Sequence, residues 1–428
     1  MNLLYNFGIS LFSLGVKIAS LRNPKARKMV KGQAATMATL REAVRPGEKY
    51  VWVHAASLGE FEQGRPLIER LRRERRDLKI ALTFFSPSGY EVRHNYNGAD
   101  VVVYLPLDTP GNAREFLDIL NPVTAIFVKY EFWGNYLTQL HRRGIPTYII
   151  SAIFRPGQIF FKPWGGMFRR WLGYYKTLYV QDDNSRDLLS GIGIDNVVVA
   201  GDTRFDRVTD IMSSTVGISG MYLFGYKYHP VIVFGSSWEA DEAVYIPWLK
   251  KNPYVCAVIA PHEFDDARLE SLRSQLTIRK GDTMMLSEYE KMFTPPSNGS
   301  CGLPNPEGIR VIIVDSFGLL SSLYRYGTIA YVGGGFGHGI HNLNEAAVYG
   351  MPVIFGPKHQ KFKEAAGLID CGGGFSISSA EQFCDIADTL ISDPASLEKA
   401  GKAAGDYIKR NLGATDKIFN DVFNTDNR

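Results

Sequence analysis

Two glutamates in the amino-terminal half are the side chains best suited to catalysis. Glu60 lies a few residues after the apolar run 50–55, and Glu131 follows a second apolar run. A carboxylate in such a place can remove a proton from an acceptor hydroxyl, which typically accelerates a reaction by ~10²–10⁴. A structural alternative exists for each, because Ser57 and Glu60 have the spacing of a helix-capping box and Glu131 could pair with Lys129. The spacing therefore makes Glu60 a candidate base and Glu131 a second acid that orients a substrate or supports Glu60.

A glycine-rich passage in the carboxyl-terminal half has the composition of a phosphate-binding loop. It covers residues 332–345 and contains five glycines. Glycines let backbone amides approach a phosphate, and the amino end of the predicted helix 345–349 favours negative charge. The spacing matches neither G-x-G-x-x-G nor the Walker sequence, which argues against dinucleotide oxidoreductases and NTPases, although a plain tight turn stays possible. The candidate nucleotide ligands here are Gly334, Gly335, His341, Asn342 and Glu345.

Three other apolar runs in this half also end in small or polar residues. The runs end at Gly235-Ser236-Ser237, at Ala260-Pro261-His262-Glu263 and at Asp315-Ser316-Phe317-Gly318. Each ending alone is ordinary turn chemistry, but their recurrence at successive strand ends favours one nucleotide site. The residues around His262 lack the H-E-x-x-H spacing of a zinc site, so we expect no catalytic metal.

The elements that must position these residues follow the rhythm of parallel α/β sheets. Short apolar runs alternate with helix-like segments in both halves. The runs are 50–55, 80–85, 101–105, 125–128, 147–151, 178–180, 231–234, 256–260, 311–314, 329–332 and 352–355. The pattern predicts two doubly wound α/β domains that face each other across a cleft, with ligands at the carboxyl ends of the strands.

Length and cysteine content agree with two domains in a reducing compartment. A chain of 428 residues exceeds one ordinary core, so two domains of roughly 200 residues are expected. None of the four cysteines has C-x-x-C spacing, which argues against a disulfide framework or a zinc site. We assign residues 1–32 to an amino-terminal helix with a basic segment, 33–215 to the first domain, and 216–428 to the second domain with a carboxyl-terminal helix.

Acidic residues are absent from two long basic stretches. No Asp or Glu occurs before Glu42 or between positions 132 and 181, and these stretches hold fourteen Lys or Arg. Such regions suit an anionic lipid or a phosphate-bearing partner. The apolar segment 3–21 is diluted by Asn6 and Lys17, so an interfacial helix fits better than a membrane span, with a core helix as the alternative. Segment 159–171 mixes aromatics with cations and is either a second interfacial segment or a core helix.

Seven segments of the chain, taken in order, resemble the 3-deoxy-D-manno-octulosonic acid (Kdo) transferases of lipopolysaccharide synthesis. The matching segments are 54–60, 129–133, 201–206, 235–237, 333–345, 355–357 and 362–364. The resemblance covers roughly residues 15–415. It implies a GT-B fold and an inverting, metal-independent transfer of Kdo from CMP-Kdo to a lipid A precursor, lipid IVA. It also implies that the enzyme acts at the cytoplasmic face of an anionic inner membrane and needs no cofactor besides the donor substrate.

The resemblance assigns roles residue by residue. It implies that Glu60 is the proton acceptor and Glu131 a second essential acid. The positions that match the CMP site of the family are Pro261, His262, Gly318, Leu319, Leu320, Asn342, Leu343, Asn344 and Glu345. The family usually has arginine where His262 stands and often glutamate where Leu319 stands. Gly339-Ile340 replaces two glycines before His-Asn.

Other functions stay open on the sequence alone. A GT-B transferase that uses a UDP-sugar, or a nucleotide-sugar epimerase, would have a similar architecture. A non-catalytic membrane scaffold would bind no nucleotide. It would also leave Glu60, Glu131 and Glu345 without a shared function. A nucleic-acid partner is not expected, because the basic residues accompany Trp and Phe and no RNA or DNA motif is present.

Overall fold

Each half of the chain folds around a parallel sheet of seven strands. The computed structural model describes residues 3–214, 217–227, 230–293, 306 and 308–424. The chain up to Arg207 and from Leu412 onward forms the first compact unit, and Val208–Asn411 forms the second. Strands buried on both faces need nearly continuous apolar sequence, which is why the apolar runs mark them.

The first unit holds strands β1 to β7 and helices α1 to α9. The strands are β1 (Lys49–Ala55), β2 (Leu78–Phe84), β3 (Val101–Tyr104), β4 (Thr124–Val128), β5 (Thr147–Ala152), β6 (Thr177–Val180) and β7 (Val197–Val199), in the order β3-β2-β1-β4-β5-β6-β7. The helices are α1 (Leu3–Ser20), α2 (Pro24–Ala43), α3 (Leu58–Glu74), α4 (Pro87–Arg93), α5 (Pro110–Leu120), α6 (Gly134–Arg142), α7 (Gly166–Leu172), α8 (Asp183–Ser190) and α9 (Arg204–Ser214), the last of which crosses into the second unit.

The second unit holds strands β8 to β14 and helices α10 to α18. The strands are β8 (Val231–Ser237), β9 (Cys256–Pro261), β10 (Thr283–Met285), β11 (Val311–Ile313), β12 (Ile329–Val332), β13 (Val353–Phe355) and β14 (Gly374–Ser376), in the order β10-β11-β9-β8-β12-β13-β14. The helices are α10 (Met221–Lys227), α11 (Glu239–Lys251), α12 (Asp266–Leu276), α13 (Leu286–Met292), α14 (Leu320–Leu323), α15 (Asn344–Ala347), α16 (Lys363–Cys371), α17 (Ala380–Ser392) and α18 (Pro394–Arg410).

Every apolar run predicted as a strand forms one, and the sequence missed three strands. The missed strands β7, β10 and β14 have three residues each and lie at the edges of their sheets. An edge strand pairs on one side only and needs less apolar sequence, so its signal is weak.

The last helix, α19 (Ala414–Phe423), returns to the first unit, whereas the sequence assigned residues 216–428 to the second domain. Its side chains Ile418, Phe419 and Phe423 are buried in the core formed with α3. The carboxylate of Asp206 accepts hydrogen bonds from the amides of Gly413 and Thr415, at 2.7 Å each, and so caps the start of this helix. Burial of these apolar side chains and the cap from Asp206 together explain why α19 packs on the first unit.

Helix α1 turns one apolar face outward. Leu4, Phe7, Leu11, Leu14 and Ile18 are each more than half exposed. At the helical repeat these residues fall within an arc of about 100°, the width of a typical apolar stripe. By length and composition alone, α1 is long and apolar enough to cross a membrane.

Replacing Asp206 should loosen the last helix. Asp206→Ala removes the acceptor for two backbone amides, which should cost about 1–2 kcal/mol of local stability. We expect hydrogen exchange at the α19 amides to accelerate roughly tenfold. The matched control is Asp416→Ala, which removes the ion pair between Asp416, 74% exposed, and Arg70. The control should change exchange little, and equal exchange in both variants would refute the cap.

Candidate active site

The order of strands in each sheet shows where a ligand is expected. In the first unit the chain runs outward from β1 to β3 and then crosses to β4, on the other side of β1. In the second unit it runs outward from β8 to the edge pair β10 and β11 and then crosses to β12, on the other side of β8. Ligands of open α/β sheets bind outside the carboxyl ends of the strands at such a reversal. The loops after β1, β4, β8 and β12 are therefore the expected sites.

Glu60 lies in the first turn of α3, directly after β1. Its carboxylate accepts a hydrogen bond from the Ser57 hydroxyl, and the Ser57 side chain makes no hydrogen bond to the backbone of the helix start. The capping box that the spacing allowed is therefore not formed. Burial raises the pKa of Tyr130, Arg155 opposes this rise, and the charge of Glu60 adds to it, so Glu60 acts electrostatically on the loop after β4. Glu60 is half-buried, and its carboxylate is not used to cap its helix.

Glu131 is buried in the loop after β4, with 6% of its surface exposed. Its Oε2 accepts a hydrogen bond from Trp133 Nε1 at 2.5 Å and lies 3.2 Å from His54 Nε2. The expected alternative of a pair with Lys129 is not what the structure shows, because the Lys129 ammonium lies over the Tyr130 ring. Lys129 also has a φ of 70°, an uncommon conformation for a residue other than glycine, and it turns the chain toward Glu131.

His54 joins Glu131 to the core of the first sheet. The Trp52 indole N–H donates to Thr83 Oγ1 at 2.8 Å, and Thr83 Oγ1 lies 2.8 Å from His54 Nδ1. The Trp133 indole N–H also lies 3.1 Å from His54 Nε2, so the indole, the imidazole and the Glu131 carboxylate meet at one point. Thr83 and Trp133 were not predicted as site residues. His54 and Trp133 lie in segments that carry the family resemblance, but the sequence pattern alone assigned neither of them a role.

The matched segment 201–206 supports the helix that carries Glu60. Gln63 of α3 donates from Nε2 to Asp202 Oδ1 at 3.1 Å, and the Thr203 hydroxyl donates to the carbonyl oxygen of Gln63. Burial opposes ionisation of Asp202, but Arg204 and the side-chain amide of Gln63 hold its pKa below the usual value. This segment therefore supports the helix that carries Glu60.

In the second unit, the buried Asp241 holds the glycine-rich loop. Its Oδ2 accepts from the amides of Gly334 and Trp238 at 2.8 and 3.0 Å, and its Oδ1 accepts from the Tyr331 hydroxyl at 2.9 Å. The amides of Gly337 and Gly339 both donate to the carbonyl of Gly334. These amides close the loop on itself, so they are not available to a phosphate as the sequence suggested.

Glu345 follows this loop and is held at both carboxylate oxygens. Asn342 Nδ2 donates to Oε1 at 3.0 Å, and Ser321 Oγ donates to Oε2 at 2.6 Å. The helix α15 that carries Glu345 has one turn, shorter than the predicted 345–349, so its dipole is small. Leu343 and Asn344 are buried, whereas Asn342 is exposed.

Three aromatic rings stack beside the loop. The His262 ring lies 4.8 Å from the Trp238 ring and 4.2 Å from the His341 ring. The Trp238 indole N–H donates to His341 Nε2 at 3.2 Å. Burial and the neighbouring His262 lower the pKa of His341 to about 4, so His341 is neutral near pH 7 and accepts this bond.

A cavity of about 320 Å³ collects most of the remaining predicted residues. It is lined by Ser236, Pro261, His262, Gly318 and Leu320, together with residues that include Phe264 and Phe317. The rings of Phe264 and Phe317 stack at 4.4 Å, which gives the cavity a flat apolar wall. Neither phenylalanine was predicted, because an aromatic residue near a strand end has no distinctive spacing.

Three predicted residues not yet described also lie outside the lining of this cavity. The Ser237 hydroxyl is buried against Tyr245 at 2.8 Å, and Ser237 borders a second cavity of about 610 Å³ with Trp238 and His338. Leu319 directly precedes α14. Gly335 is buried, and a Cβ placed on it would lie 2.6 Å from the Cα of Gly356, so its backbone packs directly on the matched segment 355–357.

Comparison with known proteins points to one family over most of the chain. Residues 28–207 match the family model described as 3-deoxy-D-manno-octulosonic-acid transferase (kdotransferase). The chain is 28% identical to a 3-deoxy-D-manno-octulosonic acid transferase of Bordetella pertussis, over 85% of each chain. It is 25% identical to the enzyme of that name from Haemophilus influenzae, over 94% of this chain and 93% of the relative.

Solved structures confirm the predicted fold class. The UDP-GlcNAc 2-epimerase of Neisseria meningitidis, solved with UDP-GlcNAc, superposes with a TM-score of 0.58 at 15% identity, covering 88% of this chain and all of that one. At this identity the likeness shows the fold alone, which is the GT-B arrangement of two Rossmann-like domains.

A methyl group on Gly334 should disrupt the glycine-rich loop. Gly334 has a φ of 89°, and a Cβ there would lie 2.4 Å from the carbonyl oxygen of Gly339. We expect Gly334→Ala to weaken CMP binding at least about tenfold, since strain of this kind costs of order 1–3 kcal/mol. Calorimetric titration with CMP measures the change.

Gly337→Ala is the matched control in the same loop. A Cβ on Gly337 would meet its nearest neighbour, the Gly334 carbonyl oxygen, at 3.7 Å, an ordinary contact. This variant should bind CMP like the unaltered protein. If Gly334→Ala also retained full CMP affinity, the loop would not form part of the nucleotide site.

Proposed function

Because the chain belongs to the family of Kdo transferases and is a glycosyltransferase, we propose that it transfers Kdo from CMP-Kdo to a lipid A precursor such as lipid IVA. The reaction inverts the anomeric centre and requires no metal. The observation that carries the proposal is the position of Glu60, a half-buried carboxylate in the first turn of α3 at the strand reversal. It is not used to cap its helix.

Glu60 is the base of the proposed reaction. Its ionised carboxylate accepts the proton of an acceptor hydroxyl while that oxygen attacks the anomeric carbon of Kdo. The bond from that carbon to the CMP phosphate oxygen breaks, and CMP leaves with the electron pair. Glu131 does not exchange protons with the acceptor in this scheme. Its Oε2 is bound by Trp133 and faces His54, so it orients the acceptor side of the site.

The second unit binds the donor in this proposal. The cavity walled by Phe264 and Phe317 accommodates the cytosine ring, since a flat apolar wall suits a base. His262 offers its ring N–H to the phosphate, where the family usually has arginine, and a histidine cannot form an arginine fork. Glu345 accepts hydrogen bonds from the ribose, because each carboxylate oxygen retains a free lone pair after binding Ser321 or Asn342.

In this proposal the first unit binds the acceptor and contacts the membrane. The outward stripe of α1 and the exposed Trp164 supply apolar surface, with 73% of Trp164 exposed. Basic residues follow α1 in the segment 22–31. Apolar burial together with cations is how an interfacial helix binds anionic lipid. In the segment 159–171, Arg169 is a structural residue, because it donates to the carbonyls of Phe160 and Lys162.

Removing the charge of Glu60 should abolish turnover and spare the donor site. We expect Glu60→Gln to lower kcat at least about a hundredfold, since an amide cannot take the acceptor proton. The measurement is product mass formed from CMP-Kdo and lipid IVA, with donor affinity followed by displacement with CMP. Glu74→Gln, in the last turn of the same helix, is the control and should retain activity.

Two outcomes would count against this proposal. Full activity of Glu60→Gln would eliminate Glu60 as the base. Displacement of the donor by UDP or UDP-GlcNAc at concentrations where CMP has no effect would favour a UDP-sugar enzyme or an epimerase.

A charge on the outward face of α1 should weaken membrane attachment. Phe7→Asp with Leu11→Asp places two carboxylates where side chains face lipid, and we expect the vesicle-bound fraction to fall at least about tenfold. Sedimentation with vesicles of anionic phospholipid measures the change, and CMP affinity should stay the same. Unchanged sedimentation would show that this face does not contact lipid.

A further inference from the structure

Helix α6 begins without a cap of its own. Its N-cap residue, Trp133, makes no side-chain hydrogen bond to the helix start, because an indole N–H can only donate, and this one donates to Glu131. The first amide groups of a helix need acceptors from elsewhere. Asp108, from the loop after β3, supplies them, accepting from the amides of Asn135 and Tyr136 at 3.0 Å each.

Helix α1 completes this cap. The Tyr5 hydroxyl donates to Asp108 Oδ2 at 2.6 Å, and the amide of Gly134 donates to the Tyr5 hydroxyl at 3.4 Å. The Tyr5 ring also meets the Trp171 ring edge-on at 4.8 Å. The inward face of the helix that carries the lipid-facing stripe therefore holds the first turn of α6.

A second set of contacts runs from α1 to the same indole. The Phe12 ring stacks against the Phe85 ring at 6.3 Å, and the Phe85 ring lies 4.7 Å from the Trp133 ring. Asn135 Nδ2 donates to Asn6 Oδ1 at 2.9 Å. Three side chains of α1 thus converge on the start of α6 and on Trp133.

We propose that Tyr5 and Asp108 are positioning residues that couple the seating of α1 on a lipid surface to the orientation of Glu131. Resting on the proposed function, this adds a role for the membrane helix beyond attachment. When α1 is seated, Tyr5 and Asp108 fix the first turn of α6, and the Trp133 indole then holds the Glu131 carboxylate. When α1 shifts, α6 loses its cap and Glu131 loses a defined hydrogen-bond donor.

The coupling depends on a carboxylate without a cationic partner. Asp108 is fully buried, and burial raises its pKa to about 6 against the hydrogen bonds from Tyr5, Asn135 and Tyr136. In the described part of the chain, the titratable groups that face it are the hydroxyls of Tyr5 from α1 and Tyr136 from α6. Two amides and a tyrosine hydroxyl therefore replace the lysine or arginine that a buried acid would normally require.

Tyr5→Phe tests the coupling in the full-length protein. The variant keeps the ring against Trp171 and removes only the hydroxyl. We expect kcat on vesicle-bound lipid acceptor to fall about tenfold, the effect of losing one hydrogen bond to a charged group. KM for CMP-Kdo and the vesicle-bound fraction should not change. Ser10→Ala, on the exposed side of α1, is the control and should keep full kcat.

A readout without catalysis separates this inference from the proposed function. Hydrogen exchange at the amides of Asn135 and Tyr136 should accelerate at least about tenfold in Tyr5→Phe, and vesicles should slow it in the unaltered protein. Unchanged exchange and unchanged kcat in Tyr5→Phe would overturn the coupling. An inactive parent protein that still shows these exchange effects would instead refute Kdo transfer.

The pH profile gives a second test. Because Asp108 must be ionised to accept all three bonds, kcat should decline as the pH falls through about 6. In Asp108→Asn this decline should disappear or move to lower pH, at a reduced maximal rate. A profile that keeps the same acid limb in the variant would exclude Asp108 as the titrating group and contradict the coupling.

Discussion

In each unit a buried aspartate holds backbone next to candidate site residues, at the start of α6 in the first unit and in the glycine-rich loop in the second. Asp108 and Asp241 each accept hydrogen bonds from two backbone amides and one tyrosine hydroxyl. Burial raises the pKa of both, so each carboxylate is costly unless all three donors are in place. A loop bound in this way has one favourable geometry. The geometry of the candidate sites is therefore fixed by two aspartates that have no chemical role in the proposed reaction.

The interior strands and the general position of the site could be predicted because their signals are local. Buried parallel strands require apolar runs, and Glu60 and Glu131 follow two such runs. The contacts that organise the site are not local. Tyr5 and Asp108 lie 103 positions apart, and His54 and Glu131 lie 77 apart. No periodicity links such pairs. Short edge strands such as β7 leave little trace for a different reason, because they pair on one side only and need less apolar sequence.

The glycine-rich loop shows how composition can suggest the wrong detail. Its glycines do allow the backbone to come close to a neighbouring group, as expected. That neighbouring group is other backbone of the same protein. The amides of Gly337 and Gly339 bind the Gly334 carbonyl, and Gly335 packs on Gly356. The proposal therefore gives the contact with the phosphate to the ring N–H of His262, since burial and His262 itself lower the pKa of the neighbouring His341 to about 4.

The two glutamates of the first unit differ in surroundings, and this difference supports the roles proposed for them. A general base needs access to its substrate and an oxygen free to accept a proton. Glu60 is half-buried and bound by a single hydroxyl, that of Ser57, which an acceptor hydroxyl can displace or join. Glu131 is buried against Trp133 and His54, so taking a proton would disrupt contacts that extend through Thr83 to the sheet core. Glu131 therefore suits a fixed negative charge that orients its neighbours, and Glu60 suits proton transfer.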